Sequence, residues 1–164
     1  MDTIFSLSTA YGKAGISVIR VSGNAAVDSC KKIAGFKPRT GQPVLKRLKD
    51  QNGELIDRAL ILFFETGASF TGETVVEYHL HGSIAVISKL LSELILQPNH
   101  REAKPGEFTR RALENNRLDI AQIEGLADLI NAETEAQRKQ ALRVFDGSIG
   151  KKVKEWRTYL IEAG

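Results

Sequence analysis

Period-two alternation of apolar and polar residues marks the front of the chain. TIFSLS (3–8) and ISVIRV (16–21) are short and rich in β-formers, which predicts two strands. Between them TAYGKAG places glycines at 12 and 15, suited to a tight or ligand-approaching loop. SGNAAVDSCKKIAGF (22–36) switches to helical spacing, with Ser22 or Asn24 as the expected N-cap and Gly35 as the stop. PVLKRLKD (43–50) and ELIDRALILFFE (54–65) flank Asn52-Gly53 and predict a hairpin. Ala59 to Phe64 is apolar on both faces, as a central, covered strand would be. In SFTGETVVEYHLHGS (69–83) a further strand puts Glu77, His79 and His81 on one face, with Val76, Tyr78 and Leu80 on the other.

The rear of the chain is helical in period. SIAVISKLLSELILQ (83–97) predicts an amphipathic helix with Ser83 as N-cap, a stripe of Ile84, Ile87, Leu91 and Leu94, and Pro98 near its end. Pro105 and Gly106 lead into a short helix within KPGEFTRRALENN (104–116). From Asp119 onward, Ile120, Ile123, Leu126 and Ile130 form one stripe; Leu142, Phe145, Ile149, Val153, Trp156 and Leu160 form another. Two long helices with wide apolar stripes usually need a third or fourth partner. The expected fold is α+β: a mixed sheet with packed helices over residues 1–118, then an incomplete helical bundle over 119–164. Such a bundle is expected either to belong to a longer chain or to complete itself by dimerising.

Composition narrows the class. The 164 residues are 42% hydrophobic, enough for one cored domain plus an appendage. A net charge of +3 is too weak a global field to announce a nucleic-acid binder. Cys30 is the lone cysteine, which excludes an internal disulfide framework and fits a reducing compartment. No apolar run approaches the ~20 residues needed to span a bilayer. MDTIFSLSTAYGKAG lacks the basic start and long apolar stretch of a signal peptide. A soluble cytoplasmic protein is the expectation.

Three groups of residues are candidates for chemistry. Glu77, His79 and His81 could bind zinc, but no second cysteine completes a tetrahedral set and His100 is the only other histidine, so no metal site is expected. The same face could be solvated, or could floor a small-molecule pocket in which Glu77 accepts hydrogen bonds from a ligand. Arg20, at the end of an apolar strand, must snorkel or find an anion. Lys104, Arg110, Arg111 and Arg117 form either a solvated basic face or a trap for a carboxylate or phosphate. A phosphate-cradling P-loop is missing: DGSIGKK (146–152) has its glycines at the wrong spacing and Lys152 where Ser or Thr is needed. No catalytic nucleophile or dinucleotide fingerprint stands out.

DTIFSLST, AGISVIRVSG, SFTGETVVEYHLHG, KPGEFTRRALENNRLDIAQIEGLADLI and NAETEAQRKQAL occur in the order found in one family. Across these motifs the chain resembles the N-terminal part of the MnmE (TrmE) tRNA-modification GTPases, from Asp2 to about Leu142 and more loosely beyond. The resemblance implies a front domain similar to the folate-binding domain of aminomethyltransferases, which binds formyl-tetrahydrofolate and forms a homodimer. It implies a flavoprotein partner, MnmG (GidA), with which the family modifies carbon five of the wobble uridine in tRNA, the folate supplying the one-carbon unit. The family's folate contacts carry over to Arg20, Glu77 and Arg117. GTP, with Mg and K, belongs to an inserted GTPase domain that these 164 residues do not contain, so this chain alone should not hydrolyse GTP. Tyr11 stands where the family usually has proline, and HGS (81–83) where it usually has HGG. Two alternatives remain: a stand-alone folate-dependent one-carbon transfer enzyme, with Asp119 or His81 as the acid or base, and a tRNA-contacting scaffold module using Lys104, Arg110, Arg111 and Arg117.

Overall fold

The computed structural model describes residues 2–147, together with 156, 158, 159 and 161. Ile149, Gly150, Lys152, Val153 and Leu160, invoked above for the last stripe and the false P-loop, lie outside the described residues. The chain divides into two compact units, Met1–Arg111 and Ala112–Gly164.

In the first unit the alternating segments become β1 (Thr3–Leu7), β2 (Ala14–Ser22), β3 (Val44–Lys49), β4 (Leu55–Phe64) and β5 (Val75–Gly82). A sixth strand, β6 (His100–Glu102), has no counterpart in the sequence reading; three residues carry too little alternation to announce a strand. The sheet order is β3-β4-β5-β2-β1-β6. Only β6 runs parallel to its neighbour, β1; the other pairings are antiparallel. This is a mixed sheet, so the α+β expectation holds.

Helices α1 (Ala26–Ala34) and α2 (Ile84–Ile95) cover one face of the sheet. The core lies there: Phe5, Ile19, Val21, Ile61, Val76, Tyr78 and Leu80 from the strands meet Cys30, Ile33, Ile87, Leu90 and Leu94 from the helices. Cys30 is buried, and burial pushes its thiol up to about 11, so it acts as a small hydrophobe. The opposite face is open. Leu45 and Leu60 pair across β3 and β4 and stay exposed there, as does Ile16. The stretch Ala59–Phe64 is therefore interior in the sheet but covered on one face only, not on two.

Local corrections have physical causes. Neither Ser22 nor Asn24 caps α1; Ser22 ends β2, and the Ala25 N–H bonds Thr3 Oγ1 at 3.0 Å instead. Gly35 closes α1 in the left-handed region at φ 71°, as expected. The hairpin turn is organised by Asp50, whose Oδ1 accepts the N–H groups of Asn52 and Glu54 at 3.0 and 2.9 Å. In α2, Ser83 occupies the N-cap position without a side-chain bond, and the buried stripe is Ile87, Leu90 and Leu94, with Ile84 left 39% exposed. Glu93, also buried on α2, takes Lys89 at 2.9 Å and the Gln51 N–H at 3.2 Å, tying the helix to the hairpin turn.

Gly82 leaves no room for a side chain: a Cβ there would lie 2.4 Å from the Ala14 carbonyl oxygen, on the backbone that pairs with it. Gly82→Ala should cost about 1–3 kcal/mol in a urea melt. An unchanged midpoint would mean that β2 can move aside.

In the second unit, α4 (Ile120–Ile130) and α5 (Glu135–Phe145) form an antiparallel hairpin, since Gln122 near the start of α4 donates to the Phe145 carbonyl at the end of α5 at 3.0 Å. Each begins with a reciprocal capping box, Asp119 with Gln122 and Thr134 with Gln137. Gly125 is the close-packing point: a Cβ there would lie 2.6 Å from the Phe145 nitrogen. Ile120 and Ile130, from the expected stripe, remain 66% and 75% exposed.

Candidate functional site

The open face of the sheet carries the candidate site. In β5, Val76, Tyr78 and Leu80 enter the core, while Glu77 and His79 are half-buried and His81 is exposed on the other face, as the alternation requires. The β2–β5 register sets Arg20 directly opposite Glu77. Cross-strand neighbours on one face lie within side-chain reach, and Arg20 Nε donates to Glu77 Oε1 at 2.8 Å. Of its two expected fates, Arg20 therefore finds an anion. Its Nη1 and Nη2 make no hydrogen bond among the described residues. His79 Nε2 stands 3.4 Å from Glu77 Oε2.

Two aromatic rings flank the guanidinium. Arg20 Cζ lies 5.7 Å from the ring centroids of both Phe70 and Phe108, within cation–π range. Phe70 comes from the loop before β5, and Phe108 from α3 (Glu107–Glu114). Arg20 and Phe108 open onto a cleft of about 350 Å³ whose remaining wall includes Ser6, Ser8, Lys104, Pro105 and Gly106. Sequence reading missed both phenylalanines, since each looks locally like an ordinary core residue.

Further along β5, His81 is drawn toward β4. Its backbone N–H and ring Nδ1 meet the two oxygens of Asp57 at 2.9 and 2.8 Å. Burial pushes the Asp57 carboxyl up, but the His81 backbone and ring bonds outweigh it and hold that carboxyl below its usual range. A second, mostly apolar groove of about 390 Å³ adjoins, lined by Ile16, Leu45, Arg58, Leu60, His79 and His81. Glu77, His79 and His81 thus share a face without sharing a ligand position. Among the described residues, no group of three or more His, Cys, Asp or Glu side chains is placed to hold a metal ion.

Behind the cleft lies a buried ion cluster. Arg111, 5% exposed, donates through Nη1 to both Glu73 oxygens at 3.0 and 3.1 Å and to the Asp2 carbonyl at 3.0 Å, and through Nη2 to Asp2 Oδ1 at 2.8 Å. Arg101 bonds Asp2 and grips Glu107 with two N–H groups at 2.8 and 2.5 Å. The Lys104 N–H adds a bond to Glu107 at 2.8 Å. Those donors, Arg101 foremost, hold the Glu107 carboxyl down at about 2. Arg111 is therefore not part of a solvated basic face, whereas Lys104 and Arg110 stay exposed.

The structure brings two of the three expected folate contacts, Arg20 and Glu77, into one ion pair. Arg117 belongs to the other unit, on the turn where its N–H bonds the Ala112 carbonyl at 2.8 Å after Asn116 takes a positive φ of 55°.

Comparison with known proteins agrees with the motif order. Residues 3–117 match the family described as GTP-binding protein TrmE N-terminus, and residues 120–164 match the MnmE helical domain. Proteins named tRNA modification GTPase MnmE are similar throughout: the one from Dinoroseobacter shibae is 56% identical over 163 residues, covering 99% of this chain. Those from Parvibaculum lavamentivorans and Paracoccus denitrificans are 50% and 49% identical, over 99% and 100% of it. The chain spans 38–39% of the length of these relatives. With the N-terminal family matched over most of its residues and the helical domain over the remainder, the chain belongs to the TrmE/MnmE family of tRNA modification GTPases.

Proposed function

We propose that the first unit binds a reduced folate, formyl-tetrahydrofolate, in the Arg20 cleft and joins two copies of the protein. The observation that carries this reading is the Arg20–Glu77 pair whose guanidinium is flanked by Phe70 and Phe108, with Arg20 and Phe108 lining an open cleft. The donor set suits the ligand. A pterin ring presents amino and ring N–H donors, which a carboxylate such as Glu77 accepts. Its carbonyl oxygens and the folate's carboxylates accept from the unpaired Arg20 nitrogens, Lys104 lies along the same wall, and Arg117 is the third contact that family membership suggests. Phe108 offers an apolar surface to a flat ring. In this reading the whole protein, with the flavoprotein MnmG, uses the folate's one-carbon unit at carbon five of the tRNA wobble uridine in the cytoplasm, and GTP hydrolysis with Mg and K belongs to the part of the relatives' length that this chain does not span.

Isothermal titration of the chain with 5-formyltetrahydrofolate tests the cleft. Arg20→Ala and Glu77→Ala should each weaken binding by about ten- to a hundredfold with an unchanged circular dichroism spectrum. Undiminished affinity in both variants removes the site. For dimerisation the supporting feature is the exposed apolar row of Ile16, Leu45 and Leu60. Sedimentation velocity should find a dimer that Leu45→Glu converts to a monomer; a monomeric wild type overturns that half.

One observation favours the transfer-enzyme alternative: Asp57 orients the His81 ring as a carboxylate orients a general base. Turnover of folate with an aminomethyl donor by this chain alone, lost in His81→Ala, would select it. The RNA-scaffold alternative loses Arg111 as a phosphate contact, because its guanidinium is buried and paired.

A further inference from the structure

We infer that Arg111 is a positioning residue for the cleft, holding the two rings that flank Arg20 by tying their separate segments together. Phe70 lies in the SFTGE loop, three residues before Glu73; Phe108 lies on α3, three residues before Arg111 and so on a neighbouring helical position. Nothing in the local chain relates these two segments. Arg111 does, through the paired bonds of Nη1 to Glu73 at 3.0 and 3.1 Å.

The tie is anchored to the same strand as Arg20. Ser22, two residues on and therefore on the same face of β2, donates its hydroxyl to Glu73 Oε2 at 2.6 Å. Ser22 Oγ also meets Thr71 Oγ1 at 2.8 Å, and Ser69 Oγ donates to the Glu73 carbonyl at 2.6 Å. Ser69 and Thr71 are thus buried and bonded, and the alternate residue, Phe70, is the one that approaches Arg20. Two routes join β2 to α3: Ser22–Glu73–Arg111 through hydrogen bonds, and Arg20 to Phe108 through the ring face. The first fixes the spacing that the second needs.

A cluster of this kind is a poor device for stability alone. Burying a guanidinium costs desolvation that its partners only return, and apolar residues of similar volume would often serve as well. What it supplies is direction: a planar fork meets the Glu73 carboxylate through Nη1 and the Asp2 carboxylate through Nη2, which a single ammonium cannot reproduce. The ligand in this inference is the one proposed above, whereas the ring geometry stands without it.

The test uses the full chain and the variants Arg111→Lys and Glu73→Gln, which cut the tie from either end. The Arg20 Nε–Hε resonance reports the rings without ligand, and titration with 5-formyltetrahydrofolate reports the cleft. Both variants should move that resonance toward its position in Phe108→Leu and weaken binding roughly tenfold, and Arg111→Lys combined with Phe108→Leu should bind no worse than Phe108→Leu alone. Leu94→Ala, a core change on α2 of comparable destabilisation, should alter neither signal. An unmoved Arg20 resonance in the folded variants overturns the inference, as do binding losses that add in the double variant or equal those of Leu94→Ala. If the wild-type chain binds no folate, the folate reading fails and the resonance alone decides the role of Arg111.

Discussion

Arg111→Met should lower the unfolding free energy by about 3–5 kcal/mol, because removing one side of a buried ion cluster leaves its partners without compensation. The Glu73 carboxylate would keep only the Ser22 hydroxyl among the bonds described, and Asp2 would lose two bonds that tie the start of β1 to α3. Urea titration at neutral pH measures this; a loss under about 1 kcal/mol would class the cluster with exposed ion pairs, which contribute little. The same cluster sets a pH dependence. The Glu107 carboxyl sits at about 2 in the fold, against an ordinary value of 4.5. A depressed carboxyl stabilises the fold above its unfolded value, and that contribution is lost as pH falls from about 4.5 toward 2. Asp2 and Asp57 are lowered too and add in the same direction. Glu107→Gln should therefore flatten the acid limb of the stability curve while lowering its neutral plateau.

Phe5→Ala should cost about 3–5 kcal/mol, the range for emptying an aromatic site in a packed core. Phe5 is fully buried near the centre of β1, with the His100 ring 6.5 Å away, and its carbonyl accepts the Ala103 N–H at 2.9 Å. Its loss would open a void under the strand whose next residue, Ser6, lines the cleft on the other face. Leu55→Ala, at a side chain 55% exposed, should change stability by no more than about 0.5 kcal/mol. Equal effects at the two positions would contradict the assignment of the covered face.

Legibility followed the range of the interaction. Strand periodicity sorted Val76, Tyr78 and Leu80 from Glu77, His79 and His81 correctly, because the pleat is a property of adjacent residues. The C-cap at Gly35 was equally local. The N-terminus of α1 was not: the Ala25 N–H finds Thr3, more than twenty residues away, while Ser22 is committed to Thr71 and Glu73. Arg111 looked like one of four solvated cations because its three acidic partners come from the residue before β1, the pre-β5 loop and its own helix. The apolar run of Ala59–Phe64 promised two covered faces, yet among the described residues Leu60 on the second face stays exposed.

By itself the sequence determined the helix segments and the strands other than β6, their main stops, the polar identity of one β5 face and, through motif order, the family. These rest on backbone propensity, side-chain period and residue identity. Tertiary structure alone decided that Arg20 faces Glu77, that Phe70 and Phe108 flank it, and that Arg111 is buried rather than solvated. Those outcomes depend on strand order and register, which place residues dozens of positions apart within hydrogen-bonding distance. Burial then makes an unpaired charge too costly to leave, so each such group must be matched by whichever partner the fold delivers.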